Sequence, residues 1–220
     1  MAAGMLALLE RIRTSKVQLS GNLTFVNDWE YFTKNPEKNL EQLTTSGPYA
    51  GTLEAFTTGV RFRTRYAHLL DEQTGKLQLW ASGSNRVVET ARYFILGLFG
   101  FKAEEYATVH VISETADRGA DTLTPGDTCR NYQEDTERGH DKGATMLAKF
   151  RSTYLKGIRK RFLKQNPEIE FSDDELYSMQ ETCGFETLVR GSSPWCDIFT
   201  HDDWENFEYA RDVIHFYRAG

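Results

Sequence analysis

In LQLWASGSNRVVETAR, residues 77–92, a single arginine follows a run of small polar residues. Leu77, Leu79 and Ala81 alternate with Gln78 and Trp80 and stop at Ser82-Gly83-Ser84, the way a short strand ends in a turn. From Arg86 onward Val87, Val88, Ala91, Phe94, Ile95 and Leu98 recur at three- and four-residue spacing, which predicts a helix with one buried face. Arg86 therefore stands at a strand-to-helix junction. A helix N-terminus offers unpaired N–H groups and partial positive charge, and a guanidinium there adds a planar fork of donors suited to phosphate or carboxylate. The competing reading is a solvated first-turn arginine, set slightly against the helix dipole.

Other residues of chemical type carry less. His201, Asp202 and Asp203 are contiguous, and neighbours in sequence rarely converge on one ion, so no metal or other cofactor is expected. Asp202 and Asp203 fit better as acids favouring a helix N-terminus. Ser82, Ser84 and Ser193 have no base at a recognisable spacing, which argues against a serine nucleophile. His68, His110 and His215 are single residues in apolar-patterned segments.

The elements that must position these residues are mostly helical. MAAGMLALLERIR reads as an amphipathic helix with Leu6, Leu9 and Ile12 on one side; Glu10 and Arg11 break its apolar run and no cleavage-site pattern follows, so it is not read as a signal peptide. A polar stretch to about residue 48 contains NLTF (22–25) and KNPEKN (34–39). Thr52 to Leu70 predicts a long helix with Leu53, Phe56, Val60, Tyr66 and Leu69 as its apolar face and Gly59 as a close-packing or weak point. ATVHVISE (107–114) is a second strand, residues 115–143 a long surface loop, and 143–165, 173–188 and 202–218 three further helices. Ser172-Asp173-Asp174-Glu175 supplies a cap and an acidic first turn, and Phe207, Tyr209, Phe216 and Tyr217 read as core. Two strands separated by a helix imply a parallel pair, yet parallel sheets are stable when several strands are covered on both faces. Either further sequence supplies the sheet or the strands pair differently.

Composition limits the functional classes. The chain has 220 residues, 40% hydrophobic and 26% charged, enough for a real core in one domain or one and part of another. A net charge of −6 and a pI near 5.5 argue against a nucleic-acid partner. The basic run LKGIRKRFLK (155–164) spreads its cations around a helix as a solvated face. No segment has the apolar length of a membrane span, so no membrane partner is expected.

Five segments in order carry a resemblance: GTLEAFTTGVRFRTRYAHLL (51–70), LWASGSNRVVETARYFILGLFG (79–100), VISETADRGADTLTPGDTC (111–129), FRSTYLKGIRKRF (150–162) and, most specific, SPWCDIFTHDDWENFEY (193–209). Together they resemble the central part of fungal histidine acid phosphatases of the phytase type. That resemblance implies an α/β, histidine-phosphatase-like fold, with this chain mostly the α-helical cap domain plus a few strands of the α/β sheet. It implies a division into a mainly helical cap segment (1–76), part of the α/β core carrying Arg86 (77–114) and more helical cap (115–220).

In the family an S-x-S-x-R-V strand end delivers an arginine to the phosphate pocket, and Arg86 occupies the matching position. A histidine in R-H-G-x-R-x-P attacks phosphorus to form a phosphohistidine, the arginines stabilise the equatorial oxygens, and an aspartate of a later His-Asp pair protonates the leaving alkoxide. No R-H-G-x-R-x-P occurs in these residues. His140-Asp141 in RGHDKG, read as a loop pair, and His201-Asp202 in FTHDDW, read as a capping pair, do not fall at the catalytic position. The expectation is an internal portion of a phosphomonoester hydrolase, phytate being one possible substrate, without nucleophile or proton donor and inactive in isolation. A non-catalytic anion-binding relative and a structural helical module are the alternatives. The resemblance further pairs Cys183 with Cys196, leaves Cys129 without a partner in this chain, and implies a secreted or cell-wall protein; Asn22-Leu23-Thr24 is a glycosylation sequon in keeping with that.

Overall fold

The computed structural model describes residues 2–33, 44, 47, 49–71, 75–114, 123 and 129–219. The chain divides into two compact units, Met1–Pro36 with Cys129–Gly220, and Glu37–Thr128.

The first unit is helical. It contains α1 (Ala2–Ser15), a 3-10 helix (Gly21–Asn27), a short helix Arg130–Glu134, a long helix His140–Gln165, the helix Asp173–Arg190, a 3-10 turn Pro194–Cys196 and a final helix His201–Ala219. Met5, Leu8, Leu155, Ile158, Leu176 and Trp195 are wholly buried together. Trp195 anchors this core, its ring edge-on to Trp29 at 5.2 Å and to Phe25 at 4.9 Å, arrangements that aromatic quadrupoles favour. The start of helix Asp173–Arg190 is a capping box: Ser172 Oγ accepts from the Glu175 amide and Glu175 Oε2 accepts from the Ser172 amide. Arg11 donates to both oxygens of the same carboxylate at 2.9 Å, tying α1 to this cap. Gly191, left-handed at φ 87°, ends the helix. The final helix opens with a second reciprocal cap, in which the Thr200 amide donates to Asp203 Oδ2 at 2.8 Å and the Asp203 amide to Thr200 Oγ1 at 3.3 Å. Arg161 donates to Asp203 Oδ2 at 2.5 Å. Asp202 and Asp203 both lie in the acidic first turn of this helix, as the sequence leads one to expect; Asp203 is buried in the cap and Asp202 is exposed.

The second unit contains α2 (Gly51–Asp71), β1 (Leu77–Ser82), α3 (Asn85–Phe99), α4 (Ala103–Tyr106) and β2 (Ala107–Ile112). The strands are parallel, in register from Leu77 opposite Ala107 to Ser82 opposite Ile112, so the alternative in which they pair differently is set aside. Leu77, Leu79 and Val109 pack with Phe94, Ile95, Phe99 and Ala103 on one side of the sheet. On the other, Gln78, Trp80 and His110 are exposed, with the His110 ring stacked on Trp80 at 5.7 Å. Helix α2 lies in this unit with the strands.

Several face assignments are corrected. On α2 the buried positions are Thr52, Ala55 and Gly59, while Leu53, Val60 and Leu69 are exposed. Helices α2 and α3 cross with backbones touching at Gly59, so small residues mark the packed face and Leu53 and Val60 flank it. Leu6 is exposed on α1, where Met5, Leu8, Leu9 and Ile12 form the buried stripe. Tyr209 and Phe216 are exposed rather than core, Phe207 packs against the core, and Tyr217 is half-buried. Within the span read as loop, Arg130–Glu134 is helical and the long helix begins at His140; residues 115–122 and 124–128 of that span lie outside the described residues, as does KNPEKN.

Candidate functional site: the β1–α3 junction

β1 carries the chain to the junction and buries Ala81 and Ser82 as it arrives. Ser84 is the N-cap of α3 with extended backbone (φ −66°, ψ 130°), its carbonyl accepting from the Val87 and Val88 amides at 2.9 and 3.1 Å. Its side chain makes no cap hydrogen bond and the first turn has no acidic residue. The positive end of the helix therefore has no carboxylate of its own turn against it. Val88, Ile95 and Leu98 fix α3 by its buried face.

Arg86 is the second residue of α3 and is exposed. Its carbonyl accepts from Thr90 Oγ1 at 2.7 Å, and among the described residues its guanidinium makes no hydrogen bond or ion pair. By contrast Arg92, on the same helix, closes on Glu89 at 2.5 Å. Because β2 pairs level with β1, the turn after β1 lies beside the chain leaving β2. A Cβ built on Gly83 would stand 3.4 Å from the Ile112 carbonyl oxygen and 3.5 Å from the Glu114 amide nitrogen. The carboxyl ends of parallel strands in an open α/β sheet are where such folds bind ligands.

The other sequence candidates lie elsewhere. His140 and Asp141 open the long helix instead of lying in a loop, and their contact of 3.3 Å is exposed. His201 starts the last helix, 3.3 Å from Glu205 and also exposed. Among the described residues no group of three or more His, Cys, Asp or Glu is placed to hold a metal, and no helix is long and apolar enough to cross a membrane. Cys183 and Cys196 form a disulfide with 4.9 Å between their Cα atoms, and Cys129 is a free, exposed thiol. Asn22 is exposed in the 3-10 helix Gly21–Asn27, between the left-handed Gly21 and the buried Leu23.

One buried charged group had no sequence signal. Glu186 is wholly buried, and its carboxylate accepts from Trp29 Nε1 at 3.0 Å, Arg190 Nη1 at 2.6 Å and Ser193 Oγ at 2.6 Å. It joins the segment after the first 3-10 helix to the loop carrying Cys196. A glutamate in ETCGFETLVR reads as a solvated helix residue, and only the folded chain brings its donors together.

Comparison with known proteins places this geometry. The description "Histidine phosphatase superfamily (branch 2)" belongs to a family model that matches residues 3–220. The chain is a member of that superfamily. It is 35% identical over 219 residues to Phytase PHO112 of Candida albicans, an alignment covering 97% of this chain and 46% of that protein. It is 32% identical to the constitutive acid phosphatase of Saccharomyces cerevisiae, with 92% of this chain and 43% of that one covered. The crystal structure of the phytase from D. castellii superposes with a TM-score of 0.85 at 31% identity, covering 99% of this chain and 47% of the other. The chain thus spans slightly under half the length of the relatives it matches, and its mostly helical fold with a small parallel sheet is the histidine phosphatase fold.

Proposed function

We propose that this chain contributes the phosphate-binding arginine to a phosphomonoester hydrolase of the acid phosphatase and phytase type, which acts through a phosphohistidine. The observation that carries the reading is Arg86: unpaired among the described residues, at the start of α3 and level with the carboxyl ends of both strands, in a member of a phosphatase superfamily. A phosphoryl group seated there meets the first amides of α3 and the guanidinium fork, and both oppose the negative charge of its oxygens. As the leaving oxygen departs, charge redistributes over the equatorial oxygens, which fixed donors stabilise without reorganising. The nucleophilic histidine and the acid that protonates the leaving group come from sequence other than these residues, since R-H-G-x-R-x-P is absent from them.

In this reading residues 77–114 belong to the α/β core, and 1–76 and 115–220 mainly to the helical cap. The Cys183–Cys196 disulfide favours an oxidising compartment, which supports a secreted or cell-wall protein and a glycan at the exposed Asn22. Phytate and simpler phosphomonoesters are the substrate class, as the names of the phytase and acid phosphatase relatives suggest.

The experiment is a chimera in which residues 3–220 replace the matching segment of the D. castellii phytase. The chimera should release p-nitrophenol from p-nitrophenyl phosphate at pH 5, and the isolated 220-residue chain should not exceed background. Arg86→Ala in the chimera should lower kcat by two or more orders of magnitude, the order of loss of one charge-stabilising donor. An unchanged rate would make Arg86 a surface residue and remove the basis of the reading.

A further inference from the structure

We propose that Glu114 stands beside Arg86 in the same pocket and selects among phosphate esters by the charge and hydroxyl content of their alcohol; this rests on the reading of Arg86 given above. Glu114 is the second residue after β2, as Ser84 is the second after β1, and Ser82 and Ile112 are paired at the strand ends. The Gly83 turn packs directly on residues 112–114, with the Glu114 amide 3.5 Å from where a Gly83 Cβ would lie. Arg86 comes three residues after Gly83, as the second residue of α3, so the backbones of Arg86 and Glu114 both adjoin the Gly83 turn, and both residues are exposed. Among the described residues neither side chain makes an ion pair. A carboxylate in that position has two effects on an ester whose phosphate sits on Arg86. It accepts hydrogen bonds from hydroxyl groups on the alcohol, and it repels any further phosphate that the alcohol carries. The pocket is therefore tuned toward hydroxylated monophosphates and against the most heavily phosphorylated members of the class.

The test is a titration of the 220-residue chain at pH 7 with inorganic phosphate and with myo-inositol hexakisphosphate, followed calorimetrically, for the wild type, Glu114→Gln and Arg86→Ala. Gln keeps the size and removes the charge. Glu114→Gln should tighten hexakisphosphate about threefold or more relative to inorganic phosphate, the change expected from removing one unit charge about 6 Å from a phosphate in a water-like medium. Arg86→Ala should abolish binding of both. Arg86-dependent binding with an unchanged ratio of the two affinities in Glu114→Gln would overturn the role of Glu114 and leave Arg86 standing. Binding that does not depend on Arg86, or none, would overturn the phosphate site itself and with it the assignment of Glu114.

Discussion

Gly59 and Gly97 are the points at which α2 and α3 touch backbone to backbone. A Cβ on Gly59 would lie 2.1 Å from the Phe94 carbonyl oxygen, and one on Gly97 would lie 2.0 Å from the Phe56 carbonyl oxygen. The contact is reciprocal, so neither helix can yield without separating from the other, and approach this close admits Cα–H···O contacts. Because α3 begins at the β1 junction, the crossing also fixes the helix that carries Arg86.

Gly59→Ala and Gly97→Ala should each destabilise the protein, by up to about 2 kcal/mol. Alanine is favoured over glycine in a helix by about 1 kcal/mol, and here that gain is outweighed by overpacking of about 1–3 kcal/mol or more against rigid backbone. Urea unfolding of the two variants checks this. Gly157, with nothing within 4 Å of its Cβ position, provides the control: Gly157→Ala should stabilise by up to about 1 kcal/mol. Stabilisation by Ala at Gly59 would show that the crossing is not close-packed in solution.

The same crossing shows why part of the fold was legible and part was not. The capping box at Ser172 and Glu175 and the strand–turn–helix around Arg86 are local, and residue order alone specifies them. Which face of α2 is buried depends on its partner. Thr52, Ala55 and Gly59 are inside because a neighbouring backbone approaches them, and a search for bulky apolar periodicity selects Leu53 and Val60, which lie outside. Long-range pairing has the same character. Glu114 beside the Gly83 turn follows from the strand register, and the three donors around Glu186 come from positions as far apart as Trp29 and Ser193. The role of Arg86 and the disulfide pairing came from family resemblance, since neither charge pattern nor spacing selects them.

Glu186→Ala should cost more than Glu186→Gln. Removing the carboxylate leaves Trp29 Nε1 and the Ser193 hydroxyl buried without their acceptor, whereas Arg190, 44% exposed, can turn to water. Loss of one partner from a buried charged network costs about 3–5 kcal/mol. Gln keeps one acceptor oxygen and fills the space, so its loss should be roughly half as large, with one donor unmatched. Thermal unfolding with tryptophan fluorescence reports both, because Trp29 and Trp195 pack together beside the glutamate. Equal losses for the two variants would mean that shape rather than hydrogen bonding is what Glu186 supplies.

The disulfide should contribute stability through the unfolded chain. Cys183 and Cys196 are 13 residues apart, and the segment between them leaves its helix at the left-handed Gly191 and passes through Ser192 and Ser193 before the turn Pro194–Cys196. This segment buries Trp195; of its other large apolar residues Phe185 and Val189 are half-buried and Leu188 is exposed. Its order rests on Ser193 donating to Glu186, on Trp204 Nε1 donating to the Cys196 carbonyl at 3.3 Å, and on the covalent closure. Closing a loop of this length removes roughly 3 kcal/mol of unfolded-state freedom in the chain-entropy model, a large fraction of the stability of an ordinary domain. Protein made in an oxidising compartment should therefore yield a 183–196 crosslinked peptide on non-reducing mapping, with the exposed Cys129 open to alkylation. Cys183→Ser and Cys196→Ser should each lower the unfolding midpoint, and the double variant should lose no more than either single one, since all three lack the same bond. A crosslink from Cys129 to either of the other cysteines would contradict the pairing, and additive losses in the double variant would show that the cysteines act as separate packing residues.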